Sequence, residues 1–152
     1  MKNNILKSVL ALFILTSILI SCDNDNEVVA SPPPPGLPEL LYAEGGVSTM
    51  TSVTNPIALS SSNEIFGRNG STNVIEIKLS SLAVGTYSLS AANQFTYTRL
   101  GTSSPWTAVT GTITITMNTG TELSGNFNLT AGNSSLGINS VTGSFSNITI
   151  TP

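Results

Sequence analysis

The segment GTITITM, residues 111–117, sets Ile113, Ile115 and Met117 against Thr112, Thr114 and Thr116. A helix would scatter these apolar residues around its circumference. Only an extended strand collects every second side chain on one face. The same period of two recurs in three other segments. In NVIEIKL, residues 73–79, Ile75, Ile77 and Leu79 oppose Val74, Glu76 and Lys78. In GTYSLSA, residues 85–91, Tyr87, Leu89 and Ala91 oppose Thr86, Ser88 and Ser90. In ELSGNFNLTA, residues 122–131, Leu123, Phe127, Leu129 and Ala131 share a face against Ser124, Asn126, Asn128 and Thr130. Half-buried antiparallel strands read this way, and β-branched Thr, Ile and Val suit their pleated surface.

Turn residues separate the runs. RNGSTN, residues 68–73, contains Asn-Gly, a short-hairpin signal. NTGTE, 118–122, and AGNSSLG, 131–137, mark longer connections. The pattern predicts an all-β body over residues 45–152, with no helix. Its strands form an antiparallel meander of about eight. A flat sheet this polar is prone to slip register and to pair at its edges, so closure into a sandwich or a barrel is expected.

Three strands carry one signature: Val109 to Thr114, Leu123 to Asn128 and Val141 to Ser146 each read aliphatic, hydroxyl, Gly, polar, large apolar, polar. Glycine weakens a strand unless a bend or a neighbouring ring needs the space. The signature is therefore read as repeated hairpin architecture. In the last strand Val141 and Phe145 share one parity, while Ile148 and Ile150 share the other. A β-bulge near Ser146-Asn147 restores both to the core.

Chemistry is sparse. The chain has no histidine and one cysteine, and its two aspartates, Asp23 and Asp25, precede the body. A Ser-His-Asp arrangement and the usual zinc sites are thereby excluded. Glu64, Glu76 and Glu122 are weighed as a carboxylate pair and read as solvated surface acids. A Ser-Lys pair through Lys78 has no support. No enzyme activity and no cofactor are expected. The candidate ligand contacts are Trp106, in the loop GTSSPWT, with Tyr97 and Arg99 nearby. Trp106 either stacks on a sugar ring or plugs one end of the core. Arg99 shares the parity of Tyr97, so it either ends a strand or marks a partly open face.

The first segment differs in kind. Lys2 and Lys7 precede the 14 residues SVLALFILTSILIS, 8–21. That length suits a signal peptide and falls short of the ~20 residues of a membrane span. Leu19-Ile20-Ser21-Cys22 then resembles the lipobox of bacterial lipoproteins. The resemblance implies cleavage between Ser21 and Cys22, a thioether-linked diacylglycerol on the sulfur and an acylated amine. An ordinary secretory signal and an uncleaved anchor are the alternatives. Residues 1–21 are thus expected to be a signal peptide.

Residues 22–44 read as a lipidated cysteine with an acidic, Pro-rich tether. Its acids are Asp23, Asp25, Glu27, Glu39 and Glu44. A calcium loop fails, because its sixth position is Val28 and its twelfth Pro34. Pro32 to Pro35 favour polyproline II, so the tether spans roughly 25 Å as coil and about 70 Å if fully extended. A Pro-rich ligand for a recognition domain is the alternative. The whole chain carries −3, and losing Lys2 and Lys7 with the signal leaves −5, all of it in the tether. The body has no basic patch, so nucleic acid is not an expected partner.

The acidic run after Cys22 resembles a surface-export signal of Bacteroidota lipoproteins. PWTAVTGTITIT, LSGNFNLTA and VTGSFSNITI together resemble a family of small Bacteroidota lipoproteins of unknown function. That resemblance implies an all-β domain and brings no activity. The expected protein is anchored in the cell envelope through Cys22, at the surface of the outer membrane. It binds or assembles with an outer-membrane protein or a glycan. The alternative is a lipocalin-like barrel carrying an apolar small molecule.

Overall fold

The computed structural model describes residues 36–152, apart from 46, 103, 131 and 133–136. The expected signal peptide, Ser21, Cys22, the acidic run and Pro32 to Pro35 lie outside the described residues.

The described chain is all-β, with ten strands and no helix. They are β1 (Glu39–Glu44), β2 (Thr51–Leu59), β3 (Glu64–Asn69), β4 (Thr72–Lys78) and β5 (Gly85–Ser88). β6 (Gln94–Tyr97), β7 (Trp106–Thr107), β8 (Thr110–Asn118), β9 (Glu122–Thr130) and β10 (Ser140–Thr151) follow. They form one sheet in the order β5-β8-β9-β10-β1-β2-β3-β4-β6-β7, curled into a half-barrel. Neighbours are antiparallel, except that the far ends of β10 and β2 pair in parallel, Ile150 opposite Ala58. The topology departs from a simple meander: the first strand lies between the last and the second.

β1, β2 and β7 escape sequence reading. β7 is two residues long, too short to show a period. β1 falls within residues 22–44, which composition assigns to the tether; the structure moves the start of the domain to before Glu39. Leu40 and Tyr42 of β1 are buried, and β1 hydrogen-bonds to a strand on each side. Its neighbouring prolines and terminal glutamates hide a strand held by pairing on both edges.

Two bulges let the sheet curl. β1 runs between β10 and β2 only as far as Glu39, opposite Ser146, and Leu40, opposite Val53. Beyond those pairs the register breaks between Phe145 and Ile148 and between Thr54 and Ile57. The first break is the bulge expected at Ser146-Asn147. Asn147 takes φ +51° and donates its N–H to Ser124 Oγ at 3.0 Å. Asn55, at φ +50°, precedes Pro56 in the second break. Asparagine tolerates the left-handed region better than most residues, and proline within a strand belongs at such a break. Past the bulges, β10 and β2 turn toward one another and pair directly.

Two further bulges correct face assignments. Thr116 is left unpaired, so Met117 sits opposite outward-facing Ser124 rather than beside Ile115. Val74 is left out between the pairs Gly67–Ile75 and Arg68–Asn73, so Val74 and Ile75 are both fully buried. β5 ends at Ser88, and Ala91 lies in an exposed bend rather than on the strand. The Asn-Gly hairpin forms as expected. Asn69 faces Thr72 across Gly70-Ser71, and Gly70 takes φ +62° at the first loop position, where a II′ turn calls for glycine.

The repeated glycine has a packing cause. Gly143 lies directly opposite Phe127, and Gly125 directly opposite Phe145. A Cβ on Gly143 would overlap the Phe127 ring, and one on Gly125 would overlap the Phe145 ring. The two pairs are reciprocal, each ring occupying the space beside a glycine of the neighbouring strand, as in aromatic rescue of sheet glycines. Gly111 faces Leu129 in the same way on the next strand pair.

The core runs across the inside of the curl. Phe127 of β9 meets Phe95 of β6 with ring centroids 5.1 Å apart, and Phe95 meets Trp106 of β7 edge-on at 6.2 Å. Ile113, Ile115, Leu123 and Leu129 face Ile65, Ile75 and Ile77 in one buried cluster.

Candidate functional site

The three residues singled out as ligand contacts separate into two settings. Trp106 is fully buried, and its indole N–H donates to the Ile138 carbonyl at 2.9 Å. Of the two roles weighed for it, the structure gives it the plug. It has no face open to a sugar ring.

Tyr97 and Arg99 belong to a polar cluster that closes one end of the half-barrel. β6 ends at Tyr97, so Arg99 lies just past a strand end, one of its two expected placements. Both side chains reach Glu44, the last residue of β1. The Tyr97 hydroxyl donates to the Glu44 carboxylate, and Arg99 holds it with Nε at 3.2 Å and with Nη2. Tyr42 stacks obliquely on Tyr97 at 5.1 Å. β1 and β6 are not neighbours in the sheet, so the cluster ties one limb of the curl to the other. Glu44 went unrecognised because composition placed it in the tether. Its parity with Leu40 and Tyr42 in ELLYAE was the available signal.

Arg99, and after it the Tyr97 hydroxyl, hold the Glu44 carboxyl below its ordinary value against the burial that pushes it up. Burial, with the carboxylate beside it, pushes the Tyr97 phenol well above its ordinary value. The signs follow from linkage. The Glu44 contribution is present above the pH at which an unfolded glutamate ionises, and is lost as pH falls through the lowered folded value. The Tyr97 contribution is present below the ordinary tyrosine value and is lost at higher pH. Glu44→Gln is expected to cost about 1–2 kcal/mol near neutral pH. In urea titrations across pH the gap between wild type and variant should close in acid. A constant gap would show that the charge on Glu44 is not what matters.

Glu64, Glu76 and Glu122 occupy two separate places on the sheet. Glu64 accepts from Ser62 Oγ at 2.7 Å and pairs with Lys78 at 3.7 Å. Glu76 sits on the next ladder position, opposite Phe66 and Thr96. Both acids line an open depression of about 300 Å³ with Lys78, Gln94 and Thr96. Glu122 lies at the start of β9, away from both. Among the described residues no three acids or other metal-ligating side chains gather.

The most regular surface is elsewhere, on the outside of β5, β8, β9 and β10. One row across the strands reads Ser88, Thr112, Asn128, Thr142. The next reads Thr86, Thr114, Asn126, Ser144. A third, at the strand ends, reads Thr110, Thr130, Ser140. All eleven positions are Ser, Thr or Asn, none charged and none large and apolar. Neighbouring hydroxyls touch within the rows, Thr110 to Thr130 at 2.8 Å and Thr86 to Thr114 at 3.2 Å. The outside of β3, β4 and β6 differs: Glu64, Glu76, Lys78 and Arg68 all lie there. The alternation in the sequence already placed the Thr and Asn of β8 and β9 outward. Only the register aligns them into rows.

Fold and surface define a class: a single-sheet half-barrel whose outer face is charged on β3, β4 and β6 and carries rows of Ser, Thr and Asn on β5, β8, β9 and β10. The chain belongs to the family described as Domain of unknown function (DUF6252), whose model matches residues 50–149. No curated protein and no solved structure matches the chain. The match covers the three glycine-bearing strand signatures and begins just ahead of β2.

Proposed function

We propose that this protein is a lipid-anchored β-domain of the cell envelope, held at the surface of the outer membrane by acyl chains on Cys22. It works by binding or assembly and carries out no catalysis. One observation carries the anchor: the chain's only cysteine ends an apolar run, in Leu19-Ile20-Ser21-Cys22. Acyl chains contribute about 0.8 kcal/mol per buried CH₂, so two or more make a durable anchor. The residues between Cys22 and Gly36 serve as a spacer that holds the domain clear of the headgroups. The absence of histidine from the chain and the pairing of Glu64 with Lys78 favour binding over turnover.

Cys22→Ala is expected to move the full-length protein from the membrane to the soluble fraction and to abolish labelling by a fatty-acid probe. Retention of the variant in the membrane fraction would overturn the anchor. Crosslinking of the tagged protein in its native envelope tests the binding role. A stoichiometric neighbour makes it an accessory subunit, and recovery alone turns attention to glycans.

A further inference from the structure

We infer that a cleft on the outer face, where β10 and β2 meet, binds a small monocarboxylate with an apolar body, the chemistry of a medium-chain fatty acid; this gives the proposed binding role a ligand class and rests on it. The cleft measures about 620 Å³, a volume within the range of small-molecule sites. Leu37, Pro38, Pro56 and Ile57 line it with hydrocarbon. Ile57 lies opposite Phe66, on the face away from the core residues Ala58 and Ile65. Leu37 stands 88% exposed at its edge, hydrocarbon that a bound chain would cover. Asn55 and Gly70, both at positive φ, form part of the wall, and the register break between Thr54 and Ile57 runs along it. Bulges recur beside sites because they re-aim the side chains around them.

Arg68 is the one charged residue of the lining, and it is set to hold a carboxylate. Its carbonyl accepts from Thr54 Oγ1 at 2.6 Å, and its Nε donates to Asn73 Oδ1 at 2.9 Å. Its guanidinium carbon lies 5.6 Å from the centre of the Phe66 ring. The side chain is thus held in one pose. Among the described residues its two Nη groups make no hydrogen bond, and no acid pairs with it: Lys78 takes Glu64, and Arg99 takes Glu44. A planar fork already ordered loses little freedom when a carboxylate joins it, and the bond it forms is charge-assisted. One fixed cation beside a hydrocarbon wall matches one anion at the end of a hydrocarbon body.

The test is equilibrium dialysis of radiolabelled octanoate against the detergent-solubilised full-length protein, with protein-free micelles as the blank. Octanoate should bind saturably and about tenfold or more tighter than butanoate, since its four further CH₂ groups leave water. Octanamide, the same body without the charge, should bind about tenfold or more weaker. Arg68→Met should cost octanoate the same factor and leave octanamide unchanged. Arg68→Lys, which keeps the charge without the fork, should fall between. Lys78→Gln, outside the cleft, should bind as wild type. If Arg68→Met fails to fold, the octanoate-to-octanamide ratio on the wild type decides. Four results would overturn the inference: no saturable octanoate binding, equal binding of octanamide, wild-type octanoate binding by folded Arg68→Met, or a tenfold rise in affinity when Asp23, Asp25 and Glu27 are replaced by their amides. The last would show that the chain's own acids occupy Arg68. A stoichiometric envelope neighbour found by crosslinking, with no octanoate bound, would remove this ligand and leave the binding role standing.

Discussion

Gly143→Val is expected to unfold the domain at room temperature or bring it close. Valine is among the best strand residues and glycine among the worst, so strand propensity alone predicts a gain of up to ~1 kcal/mol. Packing predicts the opposite. A Cβ at 143 would overlap the Leu41 carbonyl on one side and the Phe127 ring on the other. Neither can retreat: Leu41 belongs to β1, hydrogen-bonded on both edges, and the Phe127 ring is wedged against Phe95. Forcing branched methyls into such a site costs ~3 kcal/mol or more. That is a large part of the 5–15 kcal/mol that holds a typical domain folded. Urea titration followed by circular dichroism reads the result. A midpoint equal to or above the wild type's would show that the reciprocal glycine–phenylalanine pairs do not govern this sheet.

Trp106→Ala is expected to cost ~3–5 kcal/mol, the usual price of emptying an aromatic site in a core. Trp106→Phe should cost less. It keeps an edge-on ring against Phe95 but leaves the Ile138 carbonyl without its donor, a loss of about 1–2 kcal/mol. Trp106 is the chain's only tryptophan, so its fluorescence reports on this position alone. Folded protein should emit at short wavelength and resist quenching by acrylamide. A solvent-facing sugar platform would behave differently: alanine would change stability by less than ~0.5 kcal/mol, and quenching would be free.

These two residues mark how far sequence reasoning reaches. Glycine repeated at one place in three strands was legible as architecture. The rings that occupy the space above Gly125 and Gly143 were legible only as a class of explanation, because which strand neighbours which is a matter of register. Trp106 stayed open between two roles, since its loop carries no period and its partners, Phe95 and Ile138, lie far along the chain. The bulge at Asn147 could be read in advance from the parity switch between Phe145 and Ile148. The bulge at Thr116 could not, because alternation there continues across the break; at Val74 the adjacent apolar pair Val74-Ile75 was the available signal.

Glu44 shows the same boundary from the other side. Composition groups it with the acids that precede the body, while the fold inserts β1 between β10 and β2 and brings Glu44 to Tyr97 and Arg99. The sequence by itself determined the strand class, the inward and outward residues of β4, β8 and β9 away from their bulges, the Asn-Gly hairpin and the poverty of catalytic groups. These follow from local period and residue chemistry. Only the tertiary structure decided the strand order, the curl at two asparagine bulges, the burial of Trp106, the tie from Glu44 to Arg99 and the alignment of Thr, Ser and Asn into rows. Each of these depends on contacts between residues distant in the chain, which no local pattern encodes.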